Sequence, residues 1–409
     1  MNSKTPHALL LAALLSCAVA QADNRPMPGF RYDRNVTAPT GKEWEDPTMP
    51  ALNKERPHAW FFSFADEKQA LNVLPESSPY WKSLDGEWSF NWVGNPGERP
   101  TDFYKTNYDI SGWDKVQVPM NWNVVGIQKD GTQKYGTPIY TNQRVIFQHQ
   151  VAVGDWKGGV MREPRKDWPT YKHRNEVGSY RRTFTVPEAW AGREVYLNFD
   201  GVDSFFYLYI NGRYVGFSKN SRNLASFDIS PYLVKGENTV AVEVYRNSDG
   251  SFLESQDMFR LPGIFRTVAL TAKPKIQVRD VVAIPDFDAN FVNASLNITA
   301  SVANLTKKDV KGLRVDYKLY EKALYGEATT PVKGAEASVP VAVNKNGETE
   351  AKVVLQAGAL VKKWSAEAPW RYVLVGELKD AKNQVLETFS TVVGFRKIEI
   401  KETAAADDE

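Results

Sequence analysis

The sequence has a single cysteine, Cys17, among its 409 residues. One thiol excludes an intrachain disulfide and any metal site built from several cysteines. The four histidines are widely separated and show no metal-ligand spacing. An excess of charge of one sign is also lacking, since the formal net charge is +2. The composition therefore gives no reason to expect nucleic acid or an acidic membrane surface as a partner.

The apolar run near the N-terminus, from Ala8 to Ala20, is too short to span a bilayer as a stable helix. Because Lys4 precedes it and small residues end it, residues 1–22 are typical of a secretion signal. Leu14 to Cys17 also resemble a bacterial lipoprotein signal, in which lipid would be attached to the cysteine. We therefore expect export to the periplasm or the extracellular space. Simple secretion and a lipid link to the membrane are both open.

Most of the chain is typical of β-strands. Short segments with apolar residues at alternate positions are separated by turn signals such as Asn211-Gly212, which predicts a many-stranded β-domain. Lys273-Pro274-Lys275 marks a boundary, and the alternation resumes beyond it, for example at Leu296 and Ile298. Roughly 120 residues of short strands fit an immunoglobulin-like sandwich. The sequence predicts an all-β protein.

One loop between two apolar strands carries a concentration of polar groups. The first strand ends near Tyr245 and the next resumes at Ile264, and the segment between them contains Glu254, Asp257 and Arg260. Binding groups tend to lie on loops that rigid strands hold in place. The structural alternative is that Asp249 only shapes a turn and that the acids only pair with neighbouring arginines.

This loop resembles the end of the sugar-binding domain of glycoside hydrolase family 2, in its β-galactosidase branch. The branch shows Ser-Asp-Gly-Ser, Leu-Glu, Gln-Asp-Met and Gly-Ile-Phe-Arg motifs in this order, and all are present between Ser248 and Arg266. The match is imperfect, because Asn247, Phe259 and Pro262 stand where the branch has Trp, Trp and Ser.

Further segments resemble the same family in the same order along the chain. The resemblance implies a jelly-roll sugar-binding-like sandwich followed by an immunoglobulin-like β-sandwich. The segments that carry it are Leu84-Asp85-Gly86-Glu87-Trp88, Val118-Pro119-Met120-Asn121-Trp122, Pro138-Ile139-Tyr140-Thr141-Asn142, Trp364-Ser365-Ala366-Glu367 and Gly394-Phe395-Arg396.

The predicted organisation has five parts: a signal peptide at 1–22, an N-terminal arm at 23–50, the jelly-roll domain at 51–274, the immunoglobulin-like domain at 275–397, and a link at 398–409 towards a catalytic barrel. A (β/α)₈ barrel needs roughly 250 residues. We therefore expect the barrel to be missing from this sequence, together with the two catalytic glutamates that the family places in it.

The resemblance implies roles for three residues. Asn142 and Asp257 would orient galactose, because an amide and a carboxylate both accept hydrogen bonds from hydroxyls. Glu254 would contact the sugar or support the loop through a hydrogen bond. Asp257 would also help to bind Na⁺, weakly without the barrel, and the Mg²⁺ site of the family is expected in the barrel. Glu254 and Asp257 are not expected to be the catalytic pair, since those carboxylates flank the scissile bond from opposite sides.

The predicted function is that of the N-terminal portion of a β-galactosidase-like retaining glycoside hydrolase, acting on terminal β-D-galactosides only when a barrel is supplied. The alternative is a stand-alone exported carbohydrate-binding or assembly module. The galactosidase-like loop argues against a β-glucuronide or a β-mannoside as substrate. The resemblance also implies a homo-oligomer in the full-length form.

Overall fold

The computed structural model describes residues 30–141, 175–254, 256–322 and 328–400. Within these ranges the chain forms 24 strands and three one-turn α-helices, so the predicted all-β class is confirmed. None of the described helices has the length and apolarity needed to cross a membrane. The predicted signal peptide, with Cys17, lies outside the described residues, as does Asn142.

Within the described residues, the part of the chain before Lys275 contains seventeen strands and the three α-helices. The helices are α1 (Glu67–Ala70), α2 (Trp122–Val125) and α3 (Ser251–Glu254). The strands are β1 (Phe30–Arg31), β2 (Ala51–Leu52), β3 (Phe62–Phe64), β4 (Trp81–Ser83), β5 (Gly86–Val93), β6 (Asp114–Val118), β7 (Ile139–Thr141), β8 (Val177–Thr185), β9 (Glu194–Phe199), β10 (Val202–Asp203), β11 (Phe205–Ile210), β12 (Arg213–Ser218), β13 (Ala225–Asp228), β14 (Glu237–Tyr245), β15 (Met258–Arg260), β16 (Gly263–Ile264) and β17 (Val268–Lys273).

All of these strands except β3 build the first sandwich. Its larger sheet has eight strands in the order β1-β2-β12-β11-β14-β8-β5-β6, and its smaller sheet has the order β13-β9-β17-β4. Two short pairs, β10-β16 and β15-β7, lie beside them. The non-sequential strand order means that the chain passes repeatedly between the two sheets, as expected for a jelly-roll sandwich.

Alternation along the strands fixes which side chains enter the core. In β9, Val195, Leu197 and Phe199 are buried between the two sheets, whereas Tyr196 and Asn198 are only partly buried. Successive side chains of a strand point to opposite faces. The outer face of the smaller sheet is therefore polar.

The central strand β11 is buried on both faces. Phe206 and Leu208 belong to the core between the sheets, and Phe205 and Tyr207 belong to a second, aromatic cluster on the other face. The N-terminal arm covers this cluster, since the Trp44 ring stacks on that of Tyr245 at 5.4 Å. Burial on both faces explains why all six residues of β11 are hydrophobic.

The second sandwich follows the boundary at Lys273-Pro274-Lys275. Its sheets have the orders β18-β19-β22 and β21-β20-β23-β24-β3, and one hydrophobic core fills the space between them. Its strands are β18 (Ile276–Phe287), β19 (Ala294–Asn304), β20 (Val310–Lys322), β21 (Ala328–Val343), β22 (Gly347–Gly358), β23 (Arg371–Lys379) and β24 (Val385–Val393).

Strand β3 connects the two sandwiches. It lies early in the chain, yet it pairs with β24 of the second sandwich, with Ser63 opposite Phe389. Beside this pairing, the buried Glu387 carboxylate accepts hydrogen bonds from the Ser63 hydroxyl at 2.5 Å and from the Val278 backbone amide at 2.6 Å. The Lys273 ammonium lies 3.7 Å from the same carboxylate.

We expect Glu387→Ala to destabilise the chain by about 3 kcal/mol, because it leaves buried donors and a buried ammonium without their acceptor. Urea unfolding of the purified chain measures the change. Glu350→Ala is the matched control, since Glu350 pairs with Lys352 on the surface and should change the free energy of unfolding by less than about 1 kcal/mol. Equal losses in the two variants would contradict the assignment.

Candidate functional site

The polar loop singled out in the sequence is folded back against the segment that ends at Thr141. Helix α3 is followed by β15, and β15 pairs antiparallel with β7. The register sets Met258 opposite Thr141 and Phe259 opposite Tyr140. The structure therefore brings together two segments that are more than a hundred residues apart in the sequence. Both were predicted to contribute to one site.

Asp257 lies at the exposed start of β15. Its carboxylate accepts a hydrogen bond from the Tyr140 hydroxyl, and this bond raises the pKa of Tyr140. The rings of Tyr140 and Phe259 are 5.5 Å apart, although their side chains are 54% and 59% exposed. The result is an open surface on which a carboxylate adjoins two aromatic rings, which we call the Asp257 surface (Tyr140, Asp257 and Phe259).

Glu254 holds the loop instead of pointing freely to solvent. Its two carboxylate oxygens accept hydrogen bonds from the Ser221 backbone amide and from the Ser221 hydroxyl, both at 2.6 Å. Two charge-assisted hydrogen bonds to one residue fix the orientation of the carboxylate. This geometry suits a residue that supports the loop.

The structural alternative for the neighbouring acids is partly correct. Asp249 forms a nearly buried ion pair with Lys219 at 2.9 Å, so its role is to shape and anchor the turn. That alternative paired the other two acids with arginines. In the structure, Glu254 instead accepts a hydrogen bond from Ser221, and Asp257 accepts one from Tyr140. Local sequence could not indicate these partners, because Ser221 and Tyr140 are distant along the chain.

A buried ion pair lies beneath the site. Arg246, at the end of β14, contacts Glu176 with an N–O distance of 2.6 Å, and both side chains are almost completely buried. Arg246 also donates to the carbonyl of Thr137 at 3.0 Å, and Glu176 accepts from the indole of Trp122 at 3.1 Å. The pair thus connects the strands of the larger sheet to the segment leading into β7.

Gly136 makes room for this ion pair. Its φ is +72°, and a Cβ added there would lie 2.3 Å from the Glu176 carboxylate oxygen. Both the left-handed backbone and the close approach require a residue without a side chain. Packing against Glu176 thereby explains the glycine at position 136.

The cavity behind the loop is very small. Asp203, Arg222, Arg260 and Glu254 help to line a space of about 20 Å³, which is on the scale of a single water molecule. A sugar cannot enter it. Among the described residues of the loop, the Asp257 surface is the open face on which a saccharide could lie.

The described residues do not fit a complete cation site. Within the described ranges there is no group of three or more His, Cys, Asp or Glu side chains that could hold a metal ion. Asp257 supplies one carboxylate, and that carboxylate already accepts the Tyr140 hydrogen bond. Since hard cations take several oxygen ligands, a sodium ion here would depend on ligands from other segments.

Sequence reasoning found Asp257 and Glu254 but missed their partners. Tyr140 lies inside a segment that the sequence singled out, yet only the pairing of β7 with β15 places its hydroxyl on Asp257. Lys54 was also missed. It is only 8% exposed, and the charge of Glu254 acts on it. No local pattern distinguishes Lys54 from a surface lysine.

These features define a chain of two consecutive β-sandwiches, the first of which carries a polar, aromatic loop at its end. Residues 81–274 match the sugar binding domain of the glycosyl hydrolases family 2, and residues 276–396 match the following domain described as glycosyl hydrolases family 2. The chain belongs to glycosyl hydrolases family 2. The family resemblance inferred from the motifs is confirmed.

Curated relatives include beta-galactosidases. The chain is 35% identical to the beta-galactosidase of Priestia megaterium over 370 residues, which cover 90% of this chain and 33% of that protein. It is 32% identical to the beta-galactosidase of Psychromonas ingrahamii, with 88% of this chain and 32% of that protein covered. The chain thus spans about a third of the length of these relatives.

The fold resembles solved structures of the same family. A Bacteroides uniformis beta-glucuronidase superimposes with a TM-score of 0.54 at 19% identity, covering 78% of this chain and 32% of that one. At this identity the similarity shows the fold alone.

We expect Gly136→Ala to destabilise the chain by about 3–5 kcal/mol, because the new methyl group displaces Glu176 from Arg246 and leaves a buried charge unpaired. The free energy of unfolding in urea is the measurement. Gly131→Ala is the control, since Gly131 has a similar φ of +81° but open space around its Cα. It should lose only about 1–2 kcal/mol for the backbone conformation. Losses of the same size would show that packing against Glu176 is irrelevant.

Lys54 generates a prediction on pH. Burial lowers the pKa of Lys54 to about 8, against a partial offset from Glu254. At pH 7 the ammonium is charged in both the folded and unfolded states, so the penalty of burying it is fully present. Between about pH 8 and pH 10.5 the unfolded chain binds more protons than the folded chain, and stability therefore rises with pH.

We therefore expect Lys54→Met to raise the free energy of unfolding by about 2 kcal/mol at pH 7. The gain should shrink steadily towards pH 10.5, where the lysine is neutral in both states. Urea unfolding of both proteins at several pH values gives the difference. A gain that does not depend on pH would mean that the methionine stabilises through packing and not through removal of a buried charge.

Proposed function

We propose that this chain is the N-terminal portion of a β-galactosidase-like retaining glycoside hydrolase that acts on terminal β-D-galactosides. In this proposal the chain contributes groups that orient the galactose, and the catalytic glutamates are supplied by a barrel outside these 409 residues. The observation that carries it is the Asp257 surface, together with the 35% identity to a beta-galactosidase over nine-tenths of the chain.

The chemistry of the Asp257 surface supports sugar binding. A carboxylate accepts hydrogen bonds from adjacent sugar hydroxyls, and exposed aromatic rings offer an apolar face for the C–H side of a hexose. Asp257 is oriented by Tyr140, and the loop behind it is held through Glu254 and Ser221. Both contacts restrain the carboxylate before a sugar binds, so less conformational entropy is lost on binding.

The proposed partner of Asp257 is Asn142. Asn142 directly follows β7 in the sequence. The amide of Asn142 and the carboxylate of Asp257 would bind neighbouring hydroxyls of one galactose. Asp257 is also proposed as one ligand of a sodium ion, with its remaining ligands, like the Mg²⁺ site, on the barrel.

Hydrolysis requires two carboxylates that flank the glycosidic bond. Glu254 does not suit either role, because both of its oxygens are engaged by Ser221. We therefore propose that the chain alone is inactive. The same proposal includes export through the predicted signal at 1–22, with Cys17 as the candidate for a lipid link. It also includes homo-oligomerisation of the full-length protein.

The second candidate is a stand-alone exported carbohydrate-binding or assembly module. It is favoured by the two complete sandwich cores, which give the chain a folded structure of its own. Addition of a family 2 barrel separates the two candidates, because only the first predicts hydrolysis after mixing.

The test is hydrolysis of a chromogenic β-galactoside by the purified 409-residue chain, with and without a purified family 2 barrel fragment. We expect no activity from the chain alone and activity after mixing. Asp257→Ala and Asn142→Ala should each reduce the activity of the mixture at least tenfold, since each removes a hydrogen-bonding group from the sugar. Trp370→Ala, a change on the second sandwich, is the control and should retain full activity.

Activity from the chain alone would overturn the proposal that the catalytic pair lies elsewhere. Binding of galactose without activity in any mixture would support the stand-alone module instead. Hydrolysis of a chromogenic β-glucuronide in place of the galactoside would overturn the substrate assignment. It would not affect the proposal that this chain orients the sugar and that the barrel carries the catalytic groups.

A further inference from the structure

A cavity lies between the two sandwiches, away from the Asp257 surface. Its volume is about 370 Å³, which is in the range of small-molecule sites. One wall is the outer face of the smaller sheet of the first sandwich, and the other is the chain around β3 as it crosses to the second. We call it the inter-sandwich cavity. Its lining shares no residue with the small cavity beside Glu254.

The sheet side of the cavity is a row of hydroxyl and amide groups. Asn198 on β9 donates to the Thr271 hydroxyl on β17 at 2.9 Å, and Tyr196 and Ser226 lie on the same outer face and also line the cavity. Each of these groups both donates and accepts hydrogen bonds. Such a surface is complementary to a ligand that carries several neutral hydroxyls.

Aromatic side chains flank this polar surface. Trp81, on the edge strand β4, pairs with Thr271 across the sheet and lines the cavity, as does Trp60 on the opposite wall. The Trp60 side chain is 59% exposed, and its ring meets that of Phe62 edge-on at 4.8 Å. A tryptophan that remains exposed beside hydroxyl and amide groups provides an apolar platform for the face of a sugar ring.

The deepest polar group of the cavity has unused hydrogen-bonding capacity. Gln277 is 2% exposed, and its amide donates to the Tyr196 hydroxyl at 2.7 Å. Its carbonyl oxygen has no hydrogen-bond partner among the described residues. Buried polar side-chain atoms are nearly always hydrogen-bonded in folded proteins. Gln277 therefore lies in the cavity wall with a carbonyl oxygen whose hydrogen-bonding capacity is unused.

The charges around the cavity favour a neutral ligand. The two cationic groups in the lining are already paired, since Arg279 binds Glu348 at 2.8 Å and Lys273 lies beside Glu387. Glu55 and Asp200 also line the cavity, and burial raises the pKa of both carboxyl groups. An anionic ligand would have to compete with Glu348 and Glu387 for the two cations, whereas a neutral ligand would not.

We propose that the inter-sandwich cavity is a saccharide-binding site, distinct from the Asp257 surface, that takes a neutral mono- or disaccharide. Trp60 and Trp81 would contact the apolar face of a hexose, and Asn198, Thr271 and Gln277 would bind its hydroxyls. Because the cavity walls come from both sandwiches, the bound sugar would also hold them together. The proposal stands on the cavity alone and does not depend on the galactosidase assignment.

The test is isothermal titration calorimetry of the full 409-residue chain with galactose, lactose and cellobiose, and with glucuronic acid as the charged probe. We expect saturable binding of at least one neutral sugar and at least tenfold weaker binding of glucuronic acid. Trp60→Ala and Asn198→Ala should each weaken the neutral sugar at least tenfold. Quenching or a shift of tryptophan emission on binding should be smaller in Trp60→Ala, because Trp81 remains in the cavity.

A control variant separates this site from other aromatic surfaces. Phe291→Ala removes an aromatic residue that is 46% exposed on the second sandwich and should leave binding unchanged. Absence of saturable binding for all three neutral sugars would overturn the proposal. Binding that survives both cavity variants, or that is lost in Phe291→Ala, would overturn it as well.

Discussion

Glu176 and Arg246 form the ion pair on which the geometry of the loop region depends. The pair is almost fully buried, and a buried ion pair is tolerated only when its remaining donors and acceptors are satisfied. Trp122 and Asn123 donate to the Glu176 carboxylate and the Thr137 carbonyl accepts from Arg246, so most of these groups are satisfied, while Nε of Arg246 has no partner among the described residues. Because these residues come from separate segments, the electrostatic requirement of one pair positions α2, the chain before β7 and the end of β14 together. This arrangement brings the segment that carries Tyr140 next to the segment that carries Asp257.

The second constraint is the burial of β11 on both faces. A central strand carries polar side chains on its outer face where that face is exposed to water, and apolar side chains where it is covered. Here the N-terminal arm and the segment around Phe103 cover it with aromatic rings. The arm is therefore part of the folded domain, and the Tyr207 hydroxyl donates to its Glu43 carboxylate at 2.5 Å. Composition alone indicated only an extended segment.

Local pattern was sufficient for most of the strands and insufficient for the contacts between them. The alternation at Leu296 and Ile298 and the Asn-Gly turn at residue 211 depend on neighbouring residues alone, so sequence indicates them directly. The partners of Glu254 and Asp257 depend on which distant strands pair, as Ser221 and Tyr140 show. Family motifs identified the loop, yet they did not specify that Glu254 would be anchored by Ser221 and that Asp257 would stay open to solvent.

The pairing of β3 with β24 has a consequence for biosynthesis. Ser63 and Glu387, which meet beside this pairing, are 324 residues apart in the sequence. A ribosome therefore completes the whole first sandwich and nearly all of the second before β3 can find its partner. Until then β3 is an unpaired strand that other chains can join. The edge of β3 therefore stays open to other chains from its own synthesis until β24 has emerged.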